Sequence, residues 1–175
     1  MIIKSPINSK TITLDPFKEK DVNNDYVSWM KNKDITKYIL KANKNLSIED
    51  LKLFVRSLEK SQHDIFYRIV HKKDKEHIGN IRLGPINFNE NYTKFGILIG
   101  NQHYHRKGIA KEAISCLKDY AFEILKLNCF KFECVVENFP AMMLYNNMGF
   151  KKKNINEKFI KDGIALDQVL WYQSV

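Results

Sequence analysis

The stretch His105-Arg106-Lys107-Gly108-Ile109-Ala110 sets a basic cluster directly against a glycine, and good helix formers follow at once. A helix that begins there leaves its first backbone N–H groups without intrahelical partners. The glycine lets the chain turn tightly and lets a ligand come close to the backbone. Together with the helix dipole and the cations of Arg106 and Lys107, this spacing suits a seat for phosphate. It suits a solvated helix start as well, and spacing alone leaves both readings open.

A second constellation lies some thirty residues on, in Glu137-Asn138-Phe139-Pro140-Ala141-Met142-Met143-Leu144-Tyr145-Asn146-Asn147-Met148-Gly149-Phe150. Asn138 is suited to cap a short helix that has proline in its first turn, and Gly149 to stop it. Leu144 and Met148 are expected in the core. Tyr145 fits either a core position with a locally satisfied hydroxyl or a proton donor in a cleft.

These residues need elements to hold them. Thr11–Leu14 alternates as a strand, and Asp15-Pro16 is expected to end it. Helices are predicted over Asp21–Lys31 and from an N-cap at Ser47, the latter with Leu51, Phe54, Val55 and Leu58 on one face. Strands are predicted over Ile65–Val70, His77–Ile86 and Thr93–Ile99. A long helix follows over Gly108–Leu127, then a strand over Phe130–Val136 and a short helix over Pro140–Asn147. Phe150–Tyr172 reads as two strands turned at Asp162-Gly163. That order predicts a mixed α/β sheet whose ligand crevice lies where Thr93–Ile99 runs into the helix after Gly108.

Composition narrows the classes. With 175 residues, 44% apolar and 28% charged, and neither repeats nor a linker, residues 1–175 read as a single folded domain. The longest apolar runs are strand-sized, which argues against a membrane span, and the first residues carry no secretory leader pattern, so the cytoplasm is the expected compartment. Cys116, Cys129 and Cys134 lack metal-ligand spacing and are expected reduced. His103 and His105 have no carboxylate or cysteine nearby to complete a metal set, so no metal is assigned; His71 and His77 flank a polar turn and are expected exposed. A net charge of +9 attracts anions, but the lysines are scattered and no nucleic-acid-binding motif is present, which argues against a nucleic-acid partner.

Together, the two segments resemble the GCN5-related N-acetyltransferase (GNAT) family, and most the branch with ribosomal-protein and amino-sugar acetyltransferases. The family's coenzyme signature, Q/R-x-x-G-x-G/A, is met by His105 to Ala110, with His105 where Gln or Arg is usual. The later pattern is met by Asn138, Ala141, Tyr145, Gly149 and Phe150. DYVSWM, HIGNIRL and FIKDGIALDQVLWY match as well, so the resemblance covers nearly the whole chain.

The resemblance implies one α/β (α+β) domain: a mixed, largely antiparallel sheet of about seven strands flanked by about four helices, with splayed central strands forming a coenzyme cleft. It implies acetyl-CoA as donor, with the pyrophosphate on the Arg106–Ala110 loop and Asn138 also at the cofactor. Backbone N–H groups near Leu98 and Ile99 would steady the thioester oxygen, and Tyr145 would protonate the departing thiolate. Strand 93–99 offers no carboxylate to take the amine's proton. Alternation on 130–136 puts Glu133, Val135 and Glu137 on one face, making Glu133 the candidate base, directly or through water; a solvated strand-face glutamate is the equal alternative.

The expected acceptor is a small-molecule primary amine. By charge the chain suits a nucleotide-linked amino sugar better than a basic ribosomal protein's N-terminus. The acceptor side is expected around Trp29–Tyr38 and the loop before Ser47. A homodimer is a candidate assembly. The competing classes are a non-catalytic acetyl-CoA-binding protein and a nucleic-acid-binding protein.

Overall fold

The computed structural model describes residues 4–39 and 45–175. Its sheet has eight strands in the order β1-β2-β3-β4-β5-β6-β8-β7. They are β1 (Ile7–Asn8), β2 (Ile12–Pro16), β3 (Ile65–His71), β4 (His77–Asn87), β5 (Tyr92–Ile99), β6 (Cys129–Val135), β7 (Lys151–Lys161) and β8 (Ile164–Ser174). Five α-helices accompany them: α1 (Asn24–Lys31), α2 (Lys33–Thr36), α3 (Ile48–Lys60), α4 (Ile109–Asp119) and α5 (Phe139–Asn147). The strand β1 and the single turn α2 are additional to the sequence reading; both are too short to leave a periodic signal. Asp15 and Pro16 lie inside β2, paired with Arg68 and Tyr67, where a strand end was expected.

Every strand pair is antiparallel except β5 with β6, which are parallel and joined through α4. That parallel pair is registered only at Tyr92↔Cys129 and Thr93↔Phe130. Beyond it, β5 stays with β4 up to Gly79↔Ile99, while β6 stays with β8 up to Val135↔Gln168. Each strand is committed to its outer neighbour, so the two diverge into a V.

The two faces of the sheet carry separate cores. On one, α4 lays Ile109, Ala113, Ile114 and Leu117 against Ile12, Ile65, Ile81 and Phe130. On the other, Tyr26, Trp29 and Met30 of α1 and Leu51, Val55 and Leu58 of α3 pack against Phe17, Phe66 and Leu98. The second helix starts as its sequence dictates: the Ser47 hydroxyl accepts from the Asp50 amide at 3.1 Å and the Asp50 carboxylate accepts from the Ser47 amide at 2.8 Å.

The helix predicted to run to Leu127 is α-helical only to Asp119 and continues as one π turn, Tyr120–Ile124. Ile124 is exposed as a result, while Ala121 stays in the core. At the other end of the chain, Asp162 (φ 50°) and Gly163 (φ 77°) form the expected two-residue turn between β7 and β8.

Candidate active site

Where β5 and β6 part there is a cavity of about 910 Å³ that reaches both faces of the sheet. Phe95, Phe132, Cys134 and Tyr145 line it from the α4–α5 side. Tyr26, Met30, Ile35, Phe54, Phe66 and Leu98 line it from the α1–α3 side.

Tyr145 is seated by aromatic packing: its ring centroid lies 4.8 Å from Phe132 and 5.8 Å from both Phe95 and Trp171. Its hydroxyl makes no hydrogen bond among the described residues. Burial, reinforced by the nearby Cys134, pushes the phenol's pKa above its ordinary value, so it remains an O–H donor through neutral pH. Burial also raises the Cys134 thiol to about 11, which fits a reduced, inert cysteine.

Glu133 lies on the cavity wall with Val135, on the face that alternation assigned it. Its carboxylate is 2.6 Å from the Lys94 ammonium of β5, so an ion pair links the two strands just past the point where they part. Asp34, Asp50 and Glu137 also line the cavity; the cation among the described lining residues is Arg82, which is itself paired with Asp64 at 2.5 Å. Among the described lining residues carboxylates outnumber cations, whereas the whole chain carries +9.

The register of β5 decides which backbone groups face the gap. Gly100 donates to the Ile78 carbonyl at 3.0 Å, one step outside the Gly79↔Ile99 pair. Antiparallel alternation then makes Asn80↔Leu98 and Arg82↔Gly96 the hydrogen-bonded pairs. Leu98 spends its amide on β4, which corrects its expected role at the thioester oxygen. Ile97 and Ile99 turn their backbone groups toward the gap instead.

Past β5 the chain makes a 3-10 turn, Gln102–Tyr104, and then a loop with Arg106 at φ 59° and Gly108 at φ 80° before α4 begins. Ile109 and Ala110 open α4, while the Gly108 carbonyl takes the first intrahelical bond from Glu112. Lys107 rests its ammonium 5.4 Å from the Tyr104 ring centroid, and Arg106 is exposed. His105 is exposed, and its ring reaches the end of β5: its Nε2 is 2.8 Å from the Ile99 carbonyl.

Asn138 precedes α5 but its side chain does not cap that helix, because its backbone (φ −81°, ψ 64°) lies outside the extended geometry of a cap; it lines the cavity instead. Leu144 and Met148 are half-buried against the core. His77, expected exposed, is packed edge-on against Trp29 (5.1 Å) and Phe17 (5.3 Å), and burial lowers its pKa. Of the expected acceptor side, Met30, Asp34, Ile35 and Tyr38 line the cavity; Leu40–Lys44 of the loop before Ser47 lie outside the described residues. Among the described residues no cluster of metal-ligating side chains is present, and no helix is long and apolar enough to cross a membrane.

A family model described as an acetyltransferase (GNAT) domain matches residues 11–151. The chain belongs to the GNAT acetyltransferase family. The spermidine N(1)-acetyltransferase of Vibrio cholerae is 33% identical over 96 residues, 54% of this chain and 55% of that relative, so the match spans about half of the relative's length. An N-acetyltransferase 9-like protein of Dictyostelium discoideum is 28% identical over 166 residues, covering 83% of this chain and 77% of the relative. The solved structure of the V. cholerae spermidine N-acetyltransferase with CoA and spermine shares the fold, with TM-score 0.84, 24% identity and coverage of 95% and 96% of the two chains.

GNAT acetyltransferases draw the acetyl group from acetyl-CoA, and the residues here fit that donor. A Cβ built on Gly108 would meet nothing within 4 Å, so the loop is bare on that side. The first amides of α4 point there. The edge of β5 past Thr93 is free of β6 and can accept an extended arm. Sequence reading missed Lys94 and Asn80 at this site. A polar residue inside the apolar strand HIGNIRL was the available signal for Asn80.

Proposed function

We propose that this GNAT member moves an acetyl group from acetyl-CoA to a cationic primary amine by direct attack in a ternary complex. In this reading the coenzyme enters from the α4–α5 face, with its pyrophosphate at Arg106–Ala110 and its thioester beside Tyr145. The amine enters from the α1–α3 face. Its nitrogen attacks the thioester carbonyl carbon, the C–S bond breaks, Tyr145 gives its proton to the leaving thiolate, and Glu133 takes the amine's proton directly or through water.

The observation that carries the acceptor class is the cavity's lining: Asp34, Asp50, Glu133 and Glu137 against Arg82. An ammonium is drawn to such a wall and a diphosphate is repelled by it. Local charge thus opposes the nucleotide-linked amino sugar that the overall charge pointed to, and a polyamine-like amine fits better. The spermidine specificity named for the V. cholerae relatives supports the same class.

Free-thiol release from acetyl-CoA tests this directly, with spermidine, a UDP-linked amino sugar and an N-terminal peptide as acceptors. Turnover is expected to rank spermidine first. Higher kcat/KM for the sugar would overturn the acceptor class, and calorimetry without acetyl-CoA binding would overturn the enzyme. Sedimentation in the same buffer checks the candidate homodimer.

A further inference from the structure

His105 stands where the coenzyme signature usually has Gln or Arg, and its exposed side chain is held by the strand before that loop. Its ring reaches back six residues to the Ile99 carbonyl at 2.8 Å. A carbonyl can only accept, so Nε2 carries the proton there. The same peptide unit is held from its other end, because the Gly100 amide donates to Ile78 in β4. The Ile99–Gly100 peptide is thereby fixed on both sides, at the tip of the strand edge that faces the gap. Antiparallel alternation leaves the Ile97 and Ile99 amides on that edge as donors. The Ile99 carbonyl lies on the same edge as the Ile99 amide, and His105 occupies it.

We propose that His105 is a positioning residue for acetyl transfer, a role that rests on the acetyltransferase reading above. By taking the Ile99 carbonyl it removes a partial negative charge next to the place where the thioester oxygen gains charge. It also locks the orientation of the neighbouring Ile99 N–H that would meet that oxygen. The contact further ties the end of β5 to the phosphate loop, so the two ends of the coenzyme site keep a fixed separation. His105 itself touches neither substrate. What position 105 needs is an N–H donor of the right reach, and the amide of Gln supplies one too.

Two variants and one spectroscopic measurement test this. His105→Ala is expected to lower kcat about tenfold, with the CoA dissociation constant within about twofold of the parent and the melting temperature held. His105→Gln is expected to recover most of the lost kcat. Nitrogen-15 imidazole spectra of the parent are expected to show the Nε2–H form at neutral pH. An unchanged kcat in His105→Ala, a His105→Gln variant no better than alanine, or an Nδ1–H tautomer would each overturn the proposal. A parent that neither binds acetyl-CoA nor acetylates an amine would overturn the acetyltransferase reading, while the tautomer measurement would still decide the His105–Ile99 contact.

Discussion

The Lys94 ammonium stands 2.6 Å from the Glu133 carboxylate, across the gap where β5 and β6 part. The pair holds the candidate base near the point where the strands part and gives it a cation that an incoming ammonium can replace. Glu133→Gln removes the proton acceptor while keeping the shape. Its kcat/KM should fall about a hundredfold at neutral pH, and the deficit should shrink as pH rises toward the acceptor amine's own pKa. A deficit equal at all pH values would make Glu133 an electrostatic binder of the acceptor. Lys94→Met should cost less than about tenfold, because both partners are partly exposed and such pairs contribute little.

Tyr145 offers a cleaner separation of binding from chemistry. Tyr145→Phe removes only a hydroxyl, and the ring contacts with Phe132, Phe95 and Trp171 survive. Thermal stability and CoA affinity should hold while kcat falls about a hundredfold or more. Burial raises the phenol's pKa, so the proton is lost only above the ordinary tyrosine range. In the parent, the alkaline limb of kcat should therefore not begin below about pH 10.

The sequence announced the elements in proportion to how local their signals are. Ser47 and Asp50 form a capping box that needs only four residues to read, and Asp162-Gly163 names its turn outright. The glycine-led start of α4 was legible for the same reason, since Gly108 and the helix behind it are contiguous. The cavity's carboxylates were not, because they come from α2, α3, β6 and the turn after β6. A global charge of +9 carries no information on a wall built from such distant residues. Leu98 was misjudged because strand pairing, and not position along the strand, decides which amides are spent. The turn of π-helix at Tyr120 likewise has no periodic signature to separate it from α4.

Glu112 fastens α4 to the N-terminal strands and gives the fold an acid-sensitive joint. Its carboxylate accepts from the Thr11 amide at 2.7 Å, the Thr11 hydroxyl at 2.5 Å and the Ile12 amide at 3.3 Å. Burial pulls the carboxyl's pKa up, but these hydrogen bonds outweigh it and hold the group below the ordinary glutamate value. A depressed folded-state pKa means that this stabilisation is complete above the unfolded value, about 4.3, and is lost as pH falls through the folded one. Glu112→Gln should lose roughly 1–3 kcal/mol at neutral pH in urea unfolding. The gap between parent and variant should close below about pH 4. A gap that persists in acid would mean that the hydrogen bonds do not depend on the charge.

Gly108→Ala distinguishes a coenzyme seat from an ordinary helix start. The left-handed φ of 80° makes any Cβ costly, about 1–2 kcal/mol of stability. No protein atom lies within 4 Å of that Cβ, so packing adds nothing to the cost. If the pyrophosphate rests on the amides of Ile109 and Ala110, the new methyl group stands between ligand and backbone. CoA affinity by calorimetry should then drop at least about tenfold, beyond what the stability loss explains, because the variant remains folded at the assay temperature. Dephospho-CoA should suffer the same loss, since it keeps the pyrophosphate, whereas pantetheine, which lacks it, should bind parent and variant alike. Equal CoA affinity in a folded Gly108→Ala protein would remove the pyrophosphate from this loop, and the basic residues Arg106 and Lys107 would then be a solvated helix start after all.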